Sequence, residues 1–182
     1  MSGRRRLGGA GVDARSACPE CLRRSWLIAR LGAWIQRVVD DRAGSRTPEL
    51  LRLDSETLVA AVAAKQADEI LAWNASLTEG EMVAAIENAG CWACCRHHES
   101  FPAGLNDGAD SPVALIGRGG GLRLDGIELG NSVTVVGARK ATGYGLEVAA
   151  SIGREVAAAG LNVISGLALG IDGAVHRGAL ER

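Results

Sequence analysis

Aromatic side chains are scarce here: one Phe, one Tyr and four Trp stand among 182 residues, against 25 glycines. A β-sandwich, whose strands draw on aromatic and β-branched residues, is therefore disfavoured, whereas abundant Gly and Ala suit helices packed closely on a sheet. No apolar run reaches the length of a membrane span. Arg4, Arg5 and Arg6 could open a secretory signal, but Leu7-Gly8-Gly9-Ala10-Gly11 follows in place of an apolar core. The five cysteines are odd in number and bunched, which fits a reducing compartment better than a disulfide framework. The reading is a cytoplasmic protein with no membrane partner.

There is no overall surplus of charge either, the net value being -1, yet its distribution is uneven. Residues 1–30 hold seven Arg against two acids, residues 31–130 eight basic against fifteen acidic side chains, and residues 131–182 five against four. Any surface for nucleic acid must be local.

What is present begins with 47% hydrophobic residues, enough for a core in one domain or two small ones. Leu22, Trp26, Ala29, Ala33 and Val38 predict an amphipathic helix over residues 21–39. Asp54 is placed as an N-cap, and Thr78 with Glu81 has capping-box spacing before a helix that Gly90 closes. Residues 100–112 are rich in turn formers. Beyond them the sequence predicts strands at 113–116, 133–136 and 161–164, a helix from Thr142 or Tyr144 to Ala159, and another from about Ile171. The expected organisation is a flexible basic tail (1–16), a helical domain (17–99) and a Rossmann-like domain (100–182). The fold class is α/β: a helical unit followed by an incomplete parallel sheet with flanking helices, since two or three strands leave apolar surface and a sheet edge uncovered.

Val135-Val136-Gly137-Ala138-Arg139-Lys140-Ala141-Thr142-Gly143-Tyr144-Gly145 lies between a strand and a helix start. Small residues there let amides approach a phosphate, the helix dipole favours an anion, and two cations stand at the mouth. The motif lacks the Gly-Lys-Ser/Thr ending of a Walker loop and the Gly-x-Gly-x-x-Gly spacing of a dinucleotide loop. Ser165-Gly166-Leu167-Ala168-Leu169-Gly170 repeats the arrangement one β-unit later, so both loops could border one crevice. Candidate phosphate- or DNA-binding residues are Gly137, Arg139, Lys140, Thr142, Gly143, Gly145, Ser165, Gly166 and Gly170. Asp172 reads as a helix cap and His176 as a packed or surface side chain, which leaves no catalytic residue and no cofactor. The bland alternative is a tight strand-to-helix turn with solvated Arg139 and Lys140.

These two motifs, in this order and separation, resemble the signature of the DprA/Smf family of DNA-processing proteins. Cys95-Arg96-His97-His98, Phe101-Pro102, Leu105, Asp110, Pro112, Leu115 and Gly117 are similar to the family's lead-in. The resemblance implies a non-enzymatic protein of natural transformation and recombination that binds single-stranded DNA without reading sequence, helps load the RecA recombinase and self-associates when full length. It places Arg139 at the arginine of the family's Gly-Ser-Arg motif, with Ala138 standing for the usual Ser and Gly143 where a Pro or another residue is common. It also implies further strands beyond Leu180, so the sequence is expected to be a truncated part of such a protein. A nucleotide-binding enzyme of phosphoribohydrolase type, or a non-functional fragment, are the alternatives.

Cys18-Pro19-Glu20-Cys21 and Cys91-Trp92-Ala93-Cys94 form two Cys-x-x-Cys pairs whose four thiolates would suit tetrahedral zinc, with Cys95, His97 and His98 nearby as substitutes. The family resemblance implies no metal, and buried, inert thiols are the plain alternative. Arg4, Arg5, Arg6, Arg15, Arg23 and Arg24 could touch the DNA backbone, although a solvated tail and helix face is the commoner meaning of such a run. Trp26, Trp34, Trp73 and Trp92 are expected in the core.

Overall fold

The computed structural model describes residues 12–41, 48–106, 108, 111–119 and 130–181. Most of the expected basic tail, Arg4, Arg5 and Arg6 included, and Asp110 lie outside the described residues. The chain divides into two compact units, residues 1–124 and 125–182.

The first unit is organised by α1 (Pro19–Asp41), which opens on a proline whose missing N–H would have no helical partner anyway. Its buried Cys21 and Leu22 join Met82, Val83, Ile86, Ala93 and Cys95 in one core cluster. About one and a half to two and a half turns further on, Leu27 and Leu31 join Leu58, Val59, Ala63 and Ile70 in a second. The helical partners come from α3 (Ser55–Ala63), α4 (Ala67–Ser76) and α5 (Glu79–Asn88), with the short α2 (Pro48–Arg52) before them, while Ala93 and Cys95 come from the strand that follows α5. Both expected caps form: Asp54 accepts from the Thr57 amide at 2.9 Å, and Thr78 and Glu81 make the reciprocal capping box. Gly90, at φ +64°, turns the chain out of α5. Arg23 and Arg24 are held inside the unit. Arg23 donates to the Leu77 carbonyl at 2.9 Å, and Arg24 to those of Leu51 and Leu53 at 3.1 and 2.6 Å.

Strand β1 (Cys91–Cys95) pairs antiparallel with β2 (Ala114–Arg118), setting Trp92 opposite Gly117. The Trp92 ring fills the space a Cβ at Gly117 would need. This hairpin differs from the expected organisation in two ways. Residues 91–95 are a strand rather than part of an all-helical segment, and the strand expected at 113–116 belongs to the first unit, which ends at Leu124 rather than near residue 100. The reason is that a five-residue strand acquires its partner from a segment some twenty residues away, which local periodicity does not report. Trp26 and Trp34 pack partly buried against the two clusters, and the Arg30 guanidinium lies 5.3 Å from the centre of the Trp73 ring.

The second unit runs β3 (Ser132–Thr134), α6 (Gly143–Ala158), β4 (Asn162–Ile164), α7 (Ile171–Leu180). The two strands are parallel, with Val133 facing Val163, so the expected Rossmann-like α/β order is present. Val148, Ile152, Ile164 and Leu180 are exposed. Among the described residues, no helix is long and apolar enough to cross a membrane.

Helices α6 and α7 meet backbone to backbone at two glycines. A Cβ on Gly153 would collide with the Val175 carbonyl, and one on Gly178 with the Ala150 carbonyl. In Gly178→Ala the gain in helix propensity, about 1 kcal/mol, is opposed by overpacking that costs about 1–3 kcal/mol. The expected result is net destabilisation of this unit, read as faster amide hydrogen exchange in α6 and α7. Slower exchange would mean that the helices stand further apart than described.

Candidate phosphate-binding loops and a cysteine cluster

Parallel strands release their following loops at the same end, and here residues 135–142 leave β3 while residues 165–170 leave β4. Pairing continues one residue past β3, where the Val135 amide donates to the Ile164 carbonyl at 3.0 Å. The loops then hold each other. The Gly137 amide donates to Asp172 Oδ1 at 3.1 Å, and the Ile171 amide donates to the Ala138 carbonyl at 3.2 Å. Gly170, at φ +89°, passes so close to the Ala138 and Arg139 carbonyls that no Cβ would fit. A Cβ at Gly137 would likewise meet the Ile171 side chain at 2.7 Å.

Asp172 is only 5% exposed. Burial by itself would raise its carboxyl, but the Gly137 amide, the Ser165 hydroxyl and the amides of Ala168 and Gly166 favour the ionised form and hold it below the ordinary carboxylate range. The side chain read from sequence as a cap of its own helix therefore ties that helix to a glycine 35 positions upstream. His176 is half-buried, with Nε2 3.4 Å from the Ser165 carbonyl.

The expected binding residues thus separate into two sets. Gly137 and Gly170 form the brace between loops, and Ser165 and Gly166 lie close to the Asp172 carboxylate. Thr142 is the N-cap of α6, its Oγ1 accepting from the Gly145 amide at 3.1 Å. Arg139 and Lys140 stand exposed on the β3–α6 loop, and among the described residues neither is paired with an acid. Open space lies beside Gly143, where a Cβ would touch nothing within 4 Å. Tyr144, in the first turn of α6, is 78% exposed. Sequence reading passed over Tyr144, although it is the only Tyr and sits at a helix start beside two cations.

In the first unit the structure gathers Cys18 and Cys21, but with Cys95 and His97 rather than with Cys91 and Cys94. Strand alternation decides this. Cys95 and Ala93 face the core cluster shared with α1 and α5, so Cys94, one residue out of phase, points to the other face. Cys91 is in phase but four residues back, about 13 Å along a strand, and its thiol donates to the Ala89 carbonyl at 3.6 Å. His98 turns away to accept from the Ser100 amide at 3.1 Å.

The Asp172 brace predicts a pH response with a definite sign. A carboxyl depressed by folding stabilises the native state above its unfolded value, near 4, and that contribution disappears as pH falls through the lower folded value. Amide protection in the second unit is therefore expected to hold from pH 7 to about 5 and to decline below about 4. Asp172→Asn should lower protection at pH 7 and flatten the acid decline; a variant as well protected as the parent at pH 7 would remove the carboxylate from the brace.

Comparison with known proteins agrees with these elements. The family model described as DNA recombination-mediator protein A matches residues 92–182, from β1 through α7 and half of the chain. The chain is 45% identical over 71 residues to the DNA processing protein DprA of Mycobacterium tuberculosis, a stretch covering 39% of this chain and 18% of that protein. It is 30% identical over 83 residues to the DNA processing protein DprA of Bacillus subtilis, covering 46% of this chain and 27% of the other. The chain thus spans roughly a fifth to a quarter of the length of the curated relatives it matches. With half its residues under one family model and both glycine loops inside the match, the chain belongs to the DNA recombination-mediator protein A family.

Proposed function

We propose that this chain takes part in DNA processing during recombination and transformation by holding the backbone of single-stranded DNA, with Arg139 and Lys140 as the contacting cations. The observation that carries this reading is their placement: two exposed cations without an acidic partner among the described residues, on a loop whose Gly137 amide is tied up in the brace. A guanidinium can fork onto a phosphate, and an adjacent ammonium adds charge without base selectivity. The amino end of α6, 16 residues long, favours an anion at the same place. The exposed Tyr144 ring offers a stacking face that unpaired bases can use and duplex bases cannot.

The names of the relatives support DNA as the partner. Assistance to the RecA recombinase and self-association of the full-length protein follow from the family reading and belong to the same proposal. No catalytic step is assigned. The buried carboxylate nearest the loops is fixed by amides in its ionised form, a bracing role rather than that of a general acid.

The test is a titration of the chain with a labelled thymidine oligomer at several salt concentrations. Each phosphate contact on a single strand contributes about 0.7 to the slope of log affinity against log salt. Arg139→Ala should weaken binding and reduce the slope by about that amount, while the parent's affinity stays similar for oligomers of different base composition. An unchanged slope would remove Arg139 from the site. Saturable binding and turnover of a mononucleotide would favour a nucleotide-processing enzyme instead.

A further inference from the structure

The cluster of Cys18, Cys21, Cys95 and His97 takes no part in the loops described above and lies in the other unit. Its four donor atoms all fall within 4.8 Å of one another. His97 Nδ1 is 3.5 Å from Cys18 Sγ, 3.6 Å from Cys21 Sγ and 3.9 Å from Cys95 Sγ. A tetrahedral zinc ion with bonds of about 2.3 Å to sulfur and about 2.05 Å to nitrogen separates those ligand types by about 3.6 Å. Two of the three nitrogen–sulfur distances match the edge of such a tetrahedron, and the third, at 3.9 Å, is slightly longer.

We propose that these four residues bind one zinc ion as a closed, structural site. Three thiols and an imidazole are the donor set of a Cys₃His centre. Binding releases the three thiol protons to solvent, while the imidazole coordinates through Nδ1 and keeps its proton on Nε2. With all four positions filled by protein, none is left open for a substrate, which separates the site from a catalytic one.

Cys18 immediately precedes α1 and Cys21 lies in its first turn, where the helix dipole favours negative charge. The Cys18 amide lies 3.4 Å from Cys95 Sγ, an N–H to sulfur contact that supports a ligand charged by deprotonation. Coordination joins positions 77 residues apart in sequence. It pins the start of α1 to the end of β1, and so fixes the helix that carries both core clusters of the unit to the hairpin at the edge of the family match.

The experiment uses the full 182-residue chain, purified under reducing conditions, with zinc measured by elemental analysis after desalting. One zinc per chain is expected, retained in Cys91→Ser and lost in Cys95→Ser. In His97→Ala, competition with a chelating dye should show affinity reduced at least about tenfold, the loss that removal of even an outer partner causes. A ligand variant that fails to fold leaves the parent chain decisive: cobalt(II) in place of zinc should give the visible bands of a tetrahedral ion with strong thiolate charge transfer. A folded, reduced parent chain that holds no zinc and gives no tetrahedral cobalt spectrum would overturn the proposal. So would zinc that survives Cys95→Ser but is lost in Cys91→Ser.

Discussion

The carboxylate of Asp172, buried at the start of α7 and accepting from the Gly137 amide, is the contact on which the candidate DNA site depends. Glycine-rich loops are permissive by nature, because backbone freedom that allows close approach to a ligand also allows many unproductive shapes. Here one ionised side chain, one reciprocal amide bond from Ile171 to Ala138 and the tight passage of Gly170 remove most of that freedom. Arg139 and Lys140 remain exposed on the loop so held. On the proposed reading, a loop ordered before DNA arrives would lower the entropy lost on binding and would present its two cations beside a helix terminus.

The first unit meets a different requirement. Helix α1 serves two core clusters in succession, and the caps at Asp54 and Thr78 set where the shorter helices begin. The half-buried Arg23 and Arg24 close its interior by satisfying carbonyls at the ends of neighbouring helices. Arg23 and Arg24, which read in the sequence as part of a nucleic-acid footprint, are in this case part of the packing. A zinc ion at Cys18, Cys21, Cys95 and His97 would add a cross-link where the start of α1 meets the hairpin.

Much of the second unit was legible because its signals are local. The helix expected from Thr142 or Tyr144 to Ala159 is found at Gly143–Ala158, and the strand expected at 161–164 at Asn162–Ile164. Glycine, an N-capping threonine and a 3.6-residue apolar repeat mark such boundaries without any knowledge of tertiary contacts. The parallel order followed from strand–loop–helix alternation. What the sequence withheld was non-local. The strand at 91–95 is too short to declare a period of two, and its cysteines looked like a second Cys-x-x-Cys pair until the alternation of its faces selected Cys95 over Cys94. Asp172 reads equally well as a local cap, since nothing in the order of residues says that Gly137 lies within reach of its oxygen.

The most direct measurement is an amide-resolved NMR titration of the chain with a thymidine oligomer at low salt. The account predicts shifts concentrated at Arg139, Lys140 and the first turn of α6, with the Gly137 amide remaining protected from exchange because its bond to Asp172 persists in the complex. Loss of protection at Gly137 on binding would mean that DNA breaks the brace to reach the loop amides, and shifts located elsewhere would place the DNA site away from these loops. Either result would contradict a preordered loop that presents its two cations to the phosphate backbone.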